Sequence, residues 1–271
     1  MRFVRESEDV GEQVRAWKAE GLRVGFVPTM GFLHRGHTSL MDLAREQCDR
    51  LVVSIFVNPL QFDDAGDLER YPVAHSADAS QCEAHGVSLL YVPSDFYPGD
   101  FSTGVSVSGL TDRLCGASRP GHFDGVTTVV ARLFGVVSPD VAVFGEKDYQ
   151  QLQVIRRMVR DLGMPVEIVS GPLVRDADGL ALSSRNARLS PEERCRALSL
   201  QRALSVMRTS GEREVAALIA LGQRELDVDR LDYLEVVDAD TLAPLNRVEG
   251  GARVLVAAYV GETRLIDNMG L

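Results

Sequence analysis

The chain has 271 residues, of which 45% are hydrophobic and 25% are charged, and its formal net charge is −10. This length fits one large domain or two moderate ones, and the composition is typical of a globular protein. The acidic balance argues against nucleic acid as a partner, because phosphate backbones attract clustered Lys and Arg. It does not exclude a nucleotide, whose phosphates need only a few local cations and backbone N–H groups.

The cysteines and the apolar runs indicate the compartment. Cys48, Cys82, Cys115 and Cys195 form no C-x-x-C pair and match no zinc spacing, so we expect reduced thiols and no metal held by the protein. Residues 1–21 are charged throughout, unlike a signal peptide. No apolar run reaches the ~20 residues needed to span a bilayer. We therefore expect a cytoplasmic protein with no membrane partner.

Short apolar runs alternate with helical patterns through the first two-thirds of the chain. Strands are predicted at residues 22–27, 51–57, 87–92, 141–144 and 166–169, and helices at residues 36–48, 125–137 and 148–162. Strands separated by helices indicate βαβ units and a mostly parallel sheet.

The pattern changes after Val174. A D-A-D-G turn at residues 176–179 is followed by a capping box, S-P-E-E at residues 190–193. Helices are then predicted to residue 208 and over residues 212–225, and strands at residues 233–237, 254–260 and 264–266. Helices grouped before strands indicate a smaller α+β domain. We place the two domains at residues 1–174 and 175–271.

The segment P-T-M-G-F-L-H-R-G-H, residues 28–37, lies where the first of these strands gives way to a helix. Ligands of open α/β sheets bind at the carboxyl ends of strands, and a helix start presents N–H groups suited to phosphate. Gly31 and Gly36 allow a close backbone approach, and His34 and His37 can donate to phosphate oxygens. Two ordinary surface histidines are the alternative; a metal site would need more ligands than this segment supplies.

Three further segments carry polar groups suited to a nucleotide cleft. Gln61 follows the next strand, and its amide can bind both a hydroxyl and a carboxylate. Lys147 heads a predicted helix, and the L-S-S-R-N segment at residues 182–186 offers donors to a triphosphate. Each alone is compatible with a turn, a charged helix start or a solvated loop. Together they indicate a nucleotide-binding cleft.

In order and spacing, these segments resemble the pantothenate synthetase family. Residues 28–37 satisfy the family pattern P-T-M-G-x-L-H-x-G-H. Further similarity covers S-I-F-V-N-P-L-Q-F (54–62), G-H-F-D-G-V (121–126), F-G-E-K-D-Y-Q-Q-L (144–152), G-L-A-L-S-S-R-N (179–186), Y-L-E (233–235) and R-L-I-D-N (264–268). The chain departs from the family at residues 71–74, Y-P-V-A where Y-P-R-T is common, at Leu182, where Met is common, and at Phe32, where a small residue is usual.

The resemblance implies a fold and an activity. The fold is a Rossmann-like domain of the nucleotidylyltransferase type, followed by a smaller α+β C-terminal lid. The activity is ATP-dependent condensation of pantoate with β-alanine through a pantoyl-adenylate, releasing AMP and pyrophosphate. The resemblance also implies Mg²⁺ carried on the triphosphate and a homodimer.

The resemblance assigns site residues by position. His37, His34 and Lys147 become the catalytic candidates, and Gln61 and Gln151 bind the substrates pantoate and β-alanine. The ATP contacts fall on Met30, Gly31, Phe32, Leu33, His34, Arg35, Gly36, His37, Gly145, Glu146, Lys147, Asp148, Val174, Leu182, Ser183, Ser184 and Arg185.

Two other functions fit parts of this pattern. A nucleotidylyltransferase that adds a nucleotide to a phosphate acceptor would have a similar first segment. A nucleotide-binding regulator without turnover is the second alternative, although binding alone needs fewer positioned cations.

Overall fold

The chain divides into two units in a computed structural model that describes residues 1–63 and 65–271. One unit comprises Met1–Ser108, Arg119–Glu146 and Val154–Pro172, and the other Gly109–Ser118, Lys147–Gln153 and Leu173–Leu271. Both units draw on more than one stretch of the chain. The division after residue 174, which assumes two continuous stretches, stays a prediction.

The first unit contains a six-stranded parallel sheet in the order β1-β4-β3-β2-β5-β6. Its strands are β1 (Arg2–Val4), β2 (Val24–Thr29), β3 (Arg50–Ile55), β4 (Leu89–Tyr91), β5 (Val141–Gly145) and β6 (Glu167–Gly171). The α-helices of the described residues, in both units, are α1 (Ser7–Ala19), α2 (Arg35–Arg45), α3 (Ala65–Glu69), α4 (His75–Ala84), α5 (Cys115–Ser118), α6 (His122–Val137), α7 (Tyr149–Asp161), α8 (Pro191–Thr209) and α9 (Val215–Glu225). The predicted parallel sheet is confirmed.

The strand order creates a switch point between β2 and β5. From β2 the chain proceeds to β3 and β4 on one side, and later to β5 and β6 on the other. Loops that leave the carboxyl ends of two such strands diverge and open a crevice, where open α/β sheets bind ligands. The loop after β2 is the predicted histidine segment. Gly145 is the last residue of β5, and Glu146 follows it.

Branched aliphatic residues form the core under α2 and α4. Val27, Val53 and Ile55 of the sheet pack with Met41 of α2 and Cys82 of α4, and all five are at least 97% buried. The strands are short, continuous apolar runs because a parallel sheet covered by helices is buried on both faces.

The second unit contains an antiparallel sheet in the order β7-β8-β9, whose strands are Arg230–Asp238, Ala252–Val260 and Thr263–Gly270. Its core joins Val254 and Val256 of β8 to Leu200 and Leu204 of α8 and Leu218 of α9. The predicted capping box is confirmed. Ser190 Oγ accepts from Glu193 N at 3.2 Å, and Ser190 N donates to the Glu193 carboxylate at 2.8 Å. The predicted smaller α+β domain is confirmed as a fold.

Five of the strands and α-helices have no counterpart among the predictions: β1, α1, α3, α4 and α5. Helix α1 buries only Val10 and Val14, which lie one turn apart, so its apolar face is too narrow to predict a helix from the sequence. Helix α4 buries only Asp78 and Cys82. In the described part of the chain, no helix combines the length and apolar character needed to cross a membrane.

Candidate active site

The histidine segment forms a loop of unusual backbone conformation at the end of β2. Gly31 has φ +84° and Phe32 has φ +50°, so two successive residues adopt left-handed conformations. A Cβ at residue 31 would lie 3.0 Å from Ile55 Cγ2 and 3.1 Å from Asp78 Oδ2. Glycine at position 31 is therefore required both by its φ and by the space available.

The buried carboxylate of Asp78 fixes this loop. Its oxygens accept from Phe32 N at 2.9 Å and from Leu33 N at 2.8 Å. Gln81, one turn further along α4, donates to Leu33 O at 3.1 Å. Helix α4 thus anchors the loop backbone with three hydrogen bonds, a role that its sequence did not indicate.

His34 and His37 cap helix α2 reciprocally. His34 Nδ1 accepts from Gly36 N at 3.1 Å, and His37 Nδ1 accepts from His34 N at 3.2 Å. The ring centroids lie 4.1 Å apart. Because each Nδ1 is an acceptor, each neutral ring carries its proton on Nε2. The helix begins at Arg35, so His34 precedes the first turn instead of lying within it, and the two rings are nevertheless adjacent.

Gln61 lies beside this loop. It ends a 3₁₀ turn, Pro59–Gln61, that follows β3 and is capped by Asn58. Its Nε2 donates to Met30 Sδ at 3.1 Å, and its Oε1 accepts from Asn58 Nδ2 at 3.0 Å. The structure therefore brings the predicted acid-binding glutamine into contact with the predicted nucleotide loop, within one unit.

Residues that the sequence did not assign hold Gln61 in place. His122 Nδ1 donates to Gln61 O at 2.8 Å, and Arg119 Nη2 donates to the same oxygen at 3.2 Å. Tyr97 donates to Asn58 Oδ1 at 2.9 Å, and burial raises the pKa of Tyr97 to about 12, so its hydroxyl stays protonated. His122 belongs to the G-H-F-D-G-V segment, whose similarity to a family signature was its only signal.

Asp63 completes this support by pairing with Arg119. Arg119 Nε donates to Asp63 Oδ1 at 2.8 Å. Partial burial acts to raise the pKa of Asp63, but the hydrogen bond and charge of Arg119 outweigh it and lower the pKa. Asp63 is therefore ionised at neutral pH and orients the guanidinium that contacts the Gln61 carbonyl.

Lys147 lies in a 3₁₀ turn, Glu146–Asp148, directly before α7. Its Nζ is 3.7 Å from Asp148 Oδ1, and its backbone carbonyl accepts from Asn268 Nδ2 at 3.0 Å. Gln151 follows in the first turn of α7 and is half-buried. The neighbouring Gln150 is buried, and its side-chain amide bonds the backbone at Leu110, Arg113 and Cys115.

Val174 and Leu182 face each other across a small hairpin. Leu182 N donates to Val174 O at 3.0 Å, and Gly179 takes φ +99° at the turn. Ser183 Oγ then accepts from Arg185 N at 3.3 Å and caps the 3₁₀ turn Ser184–Arg188. The predicted late ATP segment is therefore a structured hairpin and cap. Across the described residues, no group of three or more His, Cys, Asp or Glu is arranged to hold a metal ion.

The whole chain is similar to known pantothenate synthetases. A family model described as pantoate-beta-alanine ligase matches residues 2–270. The pantothenate synthetase of Moorella thermoacetica is 50% identical over 279 residues, covering 100% of this chain and 99% of its own. Pantothenate synthetase 1 of Bradyrhizobium diazoefficiens is 54% identical over 259 residues, covering 92% of this chain and 90% of its own.

Solved structures agree with this similarity. Pantothenate synthetase from Thermus thermophilus superposes with a TM-score of 0.93 at 50% identity, covering 99% of both chains. Pantoate-beta-alanine ligase from Francisella tularensis, complexed with beta-gamma ATP and beta-alanine, superposes with a TM-score of 0.82 at 30% identity, covering 100% of this chain and 97% of its own. The predicted Rossmann-like fold of the nucleotidylyltransferase type is confirmed.

Proposed function

Since the chain belongs to the pantoate–β-alanine ligase family, we propose that it condenses (R)-pantoate with β-alanine, cleaving ATP to AMP and pyrophosphate. The 3.1 Å contact between Gln61 Nε2 and Met30 Sδ carries this proposal. It puts a residue suited to a hydroxy acid beside a loop suited to phosphates, as an acid-activating enzyme requires. The Francisella ligase, complexed with beta-gamma ATP and beta-alanine, supports ATP and β-alanine as two of these substrates.

The first chemical step is formation of the pantoyl-adenylate. A pantoate carboxylate oxygen attacks the α-phosphorus, an O–P bond forms, and the bridging P–O bond to the β-phosphate breaks to release pyrophosphate. A carboxylate is already nucleophilic, so catalysis is positioning and charge stabilisation. The Nε2–H groups of His34 and His37 and the ammonium of Lys147 supply the donors.

The second step transfers the acyl group to the amine. The β-alanine nitrogen attacks the acyl carbon, a C–N bond forms, and the C–O bond to AMP breaks. The nitrogen loses a proton as the amide forms. His37 is our candidate for proton transfer, because an imidazole can both accept and donate a proton.

The remaining contacts follow the family pattern. Gln61 and Gln151 bind pantoate and β-alanine. The proposed ATP contacts are residues 30–37, residues 145–148, Val174 and residues 182–185. Mg²⁺ enters as part of the substrate, on the triphosphate, because it keeps several waters and needs few protein ligands there. We also propose that the enzyme is a cytoplasmic homodimer.

An assay of pyrophosphate release tests the function. With ATP and pantoate, the enzyme should release pyrophosphate, and free AMP should appear only when β-alanine is added. A nucleotidylyltransferase would instead form a stable nucleotide product on a phosphate acceptor, and a regulator would release no pyrophosphate. Absence of pantoate-dependent pyrophosphate would contradict the proposal.

A further inference from the structure

Two consecutive polar residues of β9, Asp267 and Asn268, are buried in the second unit. Each is only 4% exposed. Consecutive residues of a strand point to opposite faces of the sheet, so the two side chains reach different neighbours. Buried polar groups are normally hydrogen-bonded, and the partners of this pair are therefore informative.

Asp267 holds the hairpin that carries Val174 and Leu182. Its carboxylate accepts two hydrogen bonds from Arg175, at 2.6 Å and 2.9 Å, in a bidentate ion pair. The same guanidinium donates to Gly179 O at 3.1 Å, across the turn of the hairpin. Bidentate pairing fixes the direction of the guanidinium as well as its distance. The hairpin is thereby fastened to β9 at both its base and its turn.

Asn268 holds the turn that carries Lys147. Its Nδ2 donates to Lys147 O at 3.0 Å, and its Oδ1 accepts from Arg253 Nε at 2.7 Å. Because Arg has only donors, this contact fixes which end of the Asn268 amide faces which neighbour. The Arg253 guanidinium lies 3.8 Å from the centre of the Tyr149 ring, at the start of α7. The sheet thus contacts this segment at two points, the Lys147 carbonyl and the Tyr149 ring.

We propose that Asp267 and Asn268 are positioning residues for adenylate formation. Asp267 holds the hairpin that carries Val174 and residues 182–185, and Asn268 holds the turn that carries Lys147. Because the two residues are adjacent on one strand, they set the spacing between these two proposed ATP-binding segments. The inference rests on the proposed function, which gives both segments their role. Neither side chain needs to touch ATP.

The variant Asn268→Asp tests this role with almost no change in side-chain volume. The carboxylate still accepts from Arg253, but an oxygen replaces the N–H that faces the Lys147 carbonyl. Two acceptors then repel each other and the turn shifts. We expect kcat/KM for pantoate-dependent pyrophosphate release to fall by about 100-fold, the effect of a displacement near 1 Å. An unchanged kcat/KM would overturn the proposal.

A double-mutant cycle with Lys147→Ala separates positioning from general damage. If Asn268 acts through Lys147, the double variant releases pyrophosphate no more slowly than Lys147→Ala alone. Losses that multiply would show an independent effect and overturn the proposal. If Lys147→Ala itself were fully active, the assigned role of Lys147 would fail and this inference with it, while product formation would still report on the ligase function separately.

Ser199→Ala is the matched control in the same unit. Ser199 is fully buried in α8 and accepts from Asp227 N at 3.0 Å, so the variant also loses a hydrogen bond made by a buried side chain. We expect its turnover to equal that of the parent protein. Should Asn268→Asp fail to fold, Asp267→Asn tests the other segment. It removes the ionic pair with Arg175 and should raise KM for ATP about tenfold; an unchanged KM in a folded variant contradicts the proposal.

Discussion

At the scale of single residues, the two imidazoles of the histidine loop have both a structural and a chemical role. Each uses Nδ1 to cap a backbone N–H at the start of α2, which leaves the ring proton on Nε2. The cap therefore selects the tautomer that can donate to a phosphate oxygen. The same contacts mean that a substitution here affects helix α2 as well as the chemistry, and the two effects must be measured separately.

We expect His37→Ala to slow adenylate formation by roughly 10²–10³, as for the loss of one donor to a developing charge. Single-turnover release of pyrophosphate measures this step directly, and chemical denaturation measures the cost of the lost cap. His85→Ala is the control. His85 directly follows the last residue of α4, and its ring pairs with Asp42 of α2. A normal single-turnover rate in His37→Ala would refute the assigned role.

At the scale of elements, close packing of α6 against a 3₁₀ turn sets the position of Gln61. Asn58 Nδ2 donates to Gly125 O at 3.0 Å, inside the first turn of α6. A Cβ at residue 125 would lie 2.6 Å from Gln61 N and closer still to the Leu60 carbonyl. Only glycine permits the helix to approach the turn this closely. A larger residue would displace the turn and therefore Gln61.

Gly125→Ala should therefore raise KM for pantoate at least tenfold, because Gln61 is displaced, and should destabilise the protein by about 1–3 kcal/mol through overpacking. Gly135→Ala provides the contrast in the same helix. A Cβ there meets nothing within 4 Å, so this variant should gain about 0.5–1 kcal/mol from helix propensity and keep its KM. Equal KM values in the two variants would disprove this explanation.

At the scale of the whole molecule, stability should decline in alkali because acidic groups are buried in their neutral form. Burial, with the nearby Asp78 carboxylate as a second cause, raises the pKa of the Cys82 thiol from 9.0 to about 12. Burial also raises the pKa of Tyr91 and of Tyr97. Between pH 9 and 12 the unfolded Cys82 thiol loses a proton that the folded state retains, so rising pH favours unfolding.

Removing one such group should flatten this dependence. Above pH 9, the free energy of unfolding of Cys82→Ala should fall less steeply with pH than that of the parent protein. The two slopes should differ by up to about 1.4 kcal/mol per pH unit, although the variant is less stable at neutral pH. Urea denaturation at several values from about pH 8 to about pH 11 measures the slopes. Cys195→Ala, at an exposed thiol, serves as the control. Parallel slopes for Cys82→Ala and the parent protein would contradict the prediction.

The sequence by itself determined the elements that carry strong local patterns. Continuous apolar runs located β2 to β6, the capping box located the start of α8, and ordered motifs identified the histidine loop, Gln61, Lys147 and the late hairpin. These signals are local because hydrophobic periodicity and capping act over a few residues. Helices α1 and α4 were missed because each buries only two side chains, and strand β1 is only three residues long.

Only the tertiary structure decided how those segments are held. Asp78 anchors a loop 45 residues away in sequence, and His122 fixes a carbonyl 61 residues away. Asn268 bonds the Lys147 turn from 121 residues further along the chain. Such contacts depend on which strand ends and helices become neighbours after folding, and no local pattern in a single sequence records that pairing.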